Sequence, residues 1–210
     1  MDALDPSRIY NDTAPESGPD GIVRLRRGDI YAALFSDRFG EQGPGVVVTP
    51  ACSLEQGKAF VVSVCPVLPL DAALAQFARL KIAKGKSGYR LEEGRLSSAN
   101  ATGRSAIKGW VESLAKGDVL GIHLLPGLTQ DPGGEHHVVM FEQMSTAGAS
   151  ASAETGDFVT RVTSPYVDHL CVRFATYYLQ VGTDDLTSDY VDELKSQVID
   201  TLGSFASPKK

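Results

Sequence analysis

Two groups of side chains could do chemistry. The first is a concentration of cations. Residues 79–116 hold nine Lys and Arg against three Asp and Glu, whereas residues 1–78 hold six against ten and residues 117–210 five against thirteen. A surplus of six positive charges therefore sits inside a chain whose net charge is −6. Lys84, Lys86, Arg90, Arg95, Arg104 and Lys108 would suit a polyanion, most simply the phosphates of a nucleic acid. The same charges fit a solvated insertion, or one that pairs with the acidic C-terminal third. Gly85-Lys86-Ser87 has the ending of a phosphate-binding loop, but Lys81 and Leu80 stand where that loop requires an upstream Gly, so the motif is excluded.

The second group is thiols and imidazoles. Cys52, just past a Val-rich run, could be a nucleophile if a His lay beside it. Its alternative reading is a small buried hydrophobe. His136 and His137 would point to opposite faces of a strand and so cannot share a metal. Neither they nor His123 and His169 have the Cys or Asp spacing of a zinc site. We expect no metal and no cofactor. Tyr166, Tyr177 and Tyr178 read as core and interface residues rather than base-stacking platforms.

The composition frames these groups. A chain of 210 residues fits one elaborated domain and can bury a core without staples. Cys52, Cys65 and Cys171, odd in number and widely spaced, suggest reduced thiols and a cytoplasmic location. No apolar run approaches the roughly 18 residues of a membrane helix, and the polar, acidic start has no leader-like pattern.

The elements that would position these residues follow from periodicity. Residues 1–21, rich in Pro, Asp, Ser and Gly, read as a disordered tail. Residues 22–25 would extend a first strand at 30–35. Runs at 46–49 and 59–64 are dense in β-branched residues and too short for buried helices. Pro66 and Pro69 would end the sheet there. A helical period covers 70–83. The polar stretch 85–102 reads as a long loop, and 104–115 as a short helix around Trp110. Gly117-Asp118 repeats the strand-opening signal of Gly28-Asp29. Strands are expected at 119–125 and 136–141, a turn between them, a loop at 143–157 and a last edge strand at 158–162. Ser164 as N-cap and Pro165 would open a helix to 181, with Val167, Leu170, Cys171, Phe174, Tyr178 and Val181 on one face and Gly182 as C-cap. A second helix would run from 187 or 188 to Gly203.

One stretch carries a family pattern. Arg27-Gly28-Asp29-Ile30-Tyr31, then Gly40-Glu41-Gln42-Gly43, then the Val-rich Val46-Val47-Val48-Thr49, then Val64-Cys65-Pro66 keep both order and spacing. Over these roughly 40 residues the chain resembles the PemK/MazF family of toxin endoribonucleases. The resemblance implies an α+β protein built on an SH3-like antiparallel β-barrel. The barrel would span 22–162, with a basic helical insertion at 70–116 and a C-terminal helical extension at 163–203. It also implies metal-free RNA cleavage, which needs a base for the 2′-hydroxyl and a cation for the phosphate. Here the chain departs from the family. Pro44-Gly45 stands where the catalytic Arg-Pro pair is expected, and Val67-Leu68 where a Thr or Ser is. Arg38, on the preceding loop, could replace the missing cation, with Thr49 and Cys52 as further catalytic candidates.

Two functions remain open at this point. One is a non-catalytic interaction or regulatory subunit of a toxin–antitoxin-like or phage-defence system, with a protein partner or a second copy in a homodimer. The other is a protein that binds RNA or another single-stranded nucleic acid, or an endoribonuclease with rearranged catalytic residues. No membrane association is expected.

Overall fold

Short apolar runs separated by Gly and Pro favour strands with two unlike faces at several places along the chain. The computed structural model describes residues 8–15, 25–37, 40–55, 59–86, 88–128, 136–148 and 158–180. The chain divides into two units, Met1–Tyr177 and Tyr178–Lys210. Everything below belongs to the first, apart from the last turn of the final helix. The ten described strands are β1 (Tyr10–Asn11), β2 (Asp29–Ser36), β3 (Gln42–Val47), β4 (Val61–Pro69), β5 (Tyr89–Glu92), β6 (Arg95–Ala99), β7 (Ile122–Leu125), β8 (His137–Met140), β9 (Ser145–Gly148) and β10 (Phe158–Val162). The four helices are α1 (Ala51–Glu55), α2 (Leu70–Ala83), α3 (Ala101–Lys116) and α4 (Tyr166–Gln180). None of the described helices is long and apolar enough to cross a membrane.

This is a mixed α+β fold. Eight strands make one antiparallel sheet in the order β1-β10-β2-β3-β4-β8-β7, with β9 also paired to β4. Strands from before and after the α2–α3 segment thus share one sheet. The sheet is open: among the described residues no ladder joins β1 to β7, so the expected barrel closure is not made by strands. What ties the β1 edge to the turn after β7 is the Tyr10 hydroxyl, which donates to the Pro126 carbonyl oxygen at 3.0 Å.

Several residues of the Arg27–Pro66 stretch are dictated by backbone contact. Gly28 has φ +86°, and a Cβ there would lie 2.6 Å from the Val162 carbonyl oxygen. At Gly45 a Cβ would lie 2.6 Å from Val64 Cγ1 and 2.9 Å from the Phe35 backbone nitrogen. β4 runs through Pro66 and ends at Pro69, within the stretch 66–69 expected to close this part of the sheet. Pro66 is the last residue of the β3 ladder and Pro69 the last of the β8 ladder. A proline is tolerated at a ladder's end, where no further N–H is demanded. Beside Pro66, β4 changes partner: residues 61–64 pair with β9 and residues 67–69 with β8. The joint between those partners is a 3-10 turn, Phe141–Gln143.

Alternation then sends side chains to different cores. On one face Ile30, Val46, Cys65, Val67, Val139, Phe141 and Val162 pack with Val167 and Leu170 of α4. On the other, Tyr31, Phe35, Val47, Val62 and Val64 form a second cluster, and Val138 and Met140 a third with Ala73 of α2 and Leu114 of α3. The helix α4 begins at Tyr166 rather than at Pro165. Ser164 does not cap an N–H; its hydroxyl donates to the Asp168 carboxylate at 2.6 Å. Tyr177, not the expected Tyr178, turns to the core, while Tyr178 is exposed.

Other expectations are revised. Residues 8–15 of the supposed disordered tail are placed: Ile9 is fully buried and β1 pairs with β10. β10 is therefore not an edge strand but lies between β1 and β2. The expected loop at 143–157 contains β9. Gly117 caps α3 with φ +80° rather than opening a strand, and Asp118 is exposed, whereas Asp29 is completely buried. Asp29 accepts from Arg161 Nε at 2.5 Å and from the Arg26 N–H at 2.7 Å. Burial raises its carboxyl above the usual range, opposed by those two donors. The extension at 22–24, the second helix at 187–203 and the C-terminal tail lie outside the described residues.

Candidate nucleic-acid interface

The basic segment is not a loop with a short helix. It folds as α2, a β5–β6 hairpin and α3. Small buried residues, Ala73, Ala75 and Ala78, let α2 lie close to its neighbours. The hairpin turns at Glu93 (φ +49°) and Gly94 (φ +81°), between the paired residues Glu92 and Arg95. Two positive φ values in a two-residue loop match the twist of the flanking strands. Arg79 Nη2 donates to the Gly94 carbonyl at 3.1 Å and so fastens this turn to α2. Asn100 then caps α3, its side chain accepting from the Gly103 N–H at 2.8 Å. Gly103 is required there, because a Cβ would lie 2.6 Å from the Gly88 carbonyl oxygen. The sequence signal for the hairpin was present: Tyr89 and Leu91 on one side of Glu93-Gly94 alternate with polar residues, and Leu96 follows. Its Ser, Glu and Gly content masked that alternation.

The hairpin turns its apolar and its charged side chains to different surroundings. Tyr89, Leu91, Leu96 and Ala99 are half-buried, while Arg90, Glu92 and Arg95 face solvent. On α3, Arg104 and Lys108 lie one turn apart and both are exposed. Lys84 and Lys86 are exposed just beyond the C-terminus of α2, where the helix dipole favours cations. Of the six predicted cations, Arg90 lies 3.8 Å from Glu92. Lys84, Lys86, Arg95, Arg104 and Lys108 have no ion pair among the described residues, and no described ion pair joins this segment to the acidic C-terminal third. The structure thus gathers the six on one appendage with their charges left to solvent. Exposed cations of this kind are able to neutralise the phosphates of a polyanion.

The catalytic candidates are placed differently. Arg38 lies outside the described residues. Its described neighbours Asp37 and Gly40 stand at the turn between β2 and β3, whereas Thr49 and Cys52 follow the other end of β3. A six-residue strand spans roughly 20 Å. Thr49 is buried, and its hydroxyl accepts from the Ser63 N–H at 2.7 Å, continuing the contact between β3 and β4. Cys52 is exposed on α1, so the buried-hydrophobe reading fails for it; that reading describes Cys65, whose thiol burial pushes up to about 12.

A cleft of about 880 Å³ opens beside the β2–β3 turn, lined by Phe35, Ser36, Asp37, Glu142, Gln143, Met144, Ser145 and Thr146. Its described lining carries carboxylates and hydroxyls.

The histidines do not converge on a metal. Among the described residues no three His, Cys, Asp or Glu side chains do. His123 and His169 meet edge to face at 5.4 Å. His123 is pushed down to about 3 by burial, then by His169 and Arg173. His136 Nδ1 accepts from the Gly127 N–H at 3.2 Å. Sequence reasoning missed Arg161, whose partnership with Asp29 joins residues 132 positions apart and leaves no local pattern.

No protein-family model matches the chain, and no curated protein is similar to it.

Proposed function

We propose that this chain is a PemK/MazF-like β protein acting as a non-catalytic interaction subunit of a toxin–antitoxin-like or phage-defence system, and that its α2–hairpin–α3 appendage binds RNA or another single-stranded nucleic acid. Its sheet is read as an SH3-like barrel left open between β1 and β7. The observation that supports binding is the set of exposed appendage cations, five of which have no ion partner among the described residues. The non-catalytic reading is supported by Pro44-Gly45 at the expected Arg-Pro position and by the Thr49 hydroxyl being engaged with Ser63.

The test is a salt titration of binding to a labelled single-stranded RNA. Log affinity should fall linearly with log salt, with a slope of about −0.7 per phosphate neutralised. Replacing Arg90, Arg95 and Arg104 by Gln should flatten the slope by about two units. Wild type binding no better than the triple variant at low salt would reject the nucleic-acid reading. RNA cleavage that disappears in Arg38→Ala would replace it with the endoribonuclease reading.

A further inference from the structure

Residues 70–116 contain three aromatic side chains, Phe77, Tyr89 and Trp110. They come from α2, the hairpin and α3, yet all three meet. The Phe77 and Trp110 rings lie 5.2 Å apart at 32°, and Tyr89 meets Phe77 edge-on at 6.2 Å. None is fully buried. Cations gather at the same corner. Lys81 Nζ sits 5.0 Å from the centre of the Phe77 ring, the Lys86 N–H donates to the Lys81 carbonyl, and Lys84 lies between them in the chain. Trp110 also packs on the cluster of Ala73, Leu114, Val138 and Met140, so only part of each ring is open. Partly open rings with lysines nearby have the composition of a surface that stacks bases while holding phosphates.

We propose that Tyr89 and Trp110 stack on unpaired bases, with Lys81, Lys84 and Lys86 on the flanking phosphates, so that the appendage selects single strands over duplexes. The inference rests on the nucleic-acid reading above and goes beyond it by naming the residues that read the strand state and the discrimination against duplex that follows. A duplex hides its base faces inside the stack and offers these rings nothing to cover. Stacking is indifferent to sequence, because every base has a π-face. The site therefore discriminates by strandedness.

Trp110 is the sole tryptophan, so its emission reports the site directly. Uridine and deoxythymidine 15-mers, and a 15-base-pair duplex, are titrated at low salt while the anisotropy of a labelled strand follows binding. Both single strands should quench Trp110 with the same midpoint as the anisotropy change, and the duplex should bind on the order of tenfold more weakly. Tyr89→Leu, checked for folding by its thermal melt, should weaken single-strand binding about tenfold and leave duplex binding unchanged. Binding without quenching, or equal binding of duplex and single strand, overturns the stacking proposal while sparing the phosphate reading. No binding by any of the three removes both. The wild-type emission needs no variant, so a misfolded Tyr89→Leu leaves the proposal open to refutation.

Discussion

The curled sheet around α4 and the α2–hairpin–α3 appendage solve opposite problems with charge. In the sheet, several polar groups that enter the interior are paired, Asp29 with Arg161, Thr49 with the Ser63 amide and Thr160 with Asp12, while the Tyr31 hydroxyl and Arg161 Nη2 are buried without a hydrogen-bond partner among the described residues. In the appendage, charge is kept at the surface and mostly without ion partners among the described residues, while packing is left to alanines, Leu114 and three aromatic rings. The difference teaches where to look for function. Paired buried charge serves the fold, because an unpaired one would cost too much to keep. Unpaired surface charge costs little and stays available to a ligand.

The comparison breaks most readily at Phe141. This side chain is 1% exposed, contacts Phe174 at 5.6 Å and His123 at 6.5 Å, and occupies the turn between β8 and β9. Phe141→Ala should cost about 3–5 kcal/mol by chemical denaturation. A loss under 1 kcal/mol would mean that the sheet core does not depend on that turn.

A smaller effect should come from pH. His123, pushed down to about 3, is neutral in the folded chain, whereas unfolded His titrates near 6.5. Its contribution is fully present above pH 6.5 and lost as pH falls toward 3, because the unfolded chain takes up the proton first. From pH 6.5 to 5 wild type should lose about 1.6 kcal/mol more than His123→Gln, the slope rising to about 1.4 kcal/mol per unit once the unfolded His is protonated. Parallel stability profiles for the two proteins would show that His123 is reached by solvent.

The smallest effect belongs to the appendage. Replacing Arg90, Arg95 and Arg104 by Gln should change stability by less than about 0.5 kcal/mol per site in thermal melts, even though the same triple variant should lose nucleic-acid affinity. A large destabilisation would mean that those guanidiniums support the fold.

Legibility followed the range of the interactions. The strands around Val46, Val64 and Val139 and the helices around Phe77 and Leu170 could be read because each repeats an apolar period over a few residues. The hairpin was obscured by its Ser and Glu content, and β1 by its length of two residues. It is held by a partner about 150 positions away, Tyr10 to Val162, which no local pattern announces. In the candidate interface the six cations could be read from charge alone, since exposed charge needs no neighbour to be recognised. The meeting of Phe77, Tyr89 and Trp110 could not, because it depends on three elements folding against one another. Gly28 and Gly45 are required by the backbone, and the close approaches there give those residues a reason independent of any function.

The change of partner along β4 has a consequence for how the first unit opens. Val61–Pro69 is held on one side by β3 and on the other first by β9 and then by β8. Neither lateral half of the sheet can detach without stripping the same strand. Fluctuations that release the β7–β8 flank therefore draw on the stability of the β2–β3 flank as well, and amide exchange along β4 should track global unfolding rather than local fraying. The appendage leaves the sheet from the end of that strand. It is thus rooted at the strand that both flanks of the sheet share.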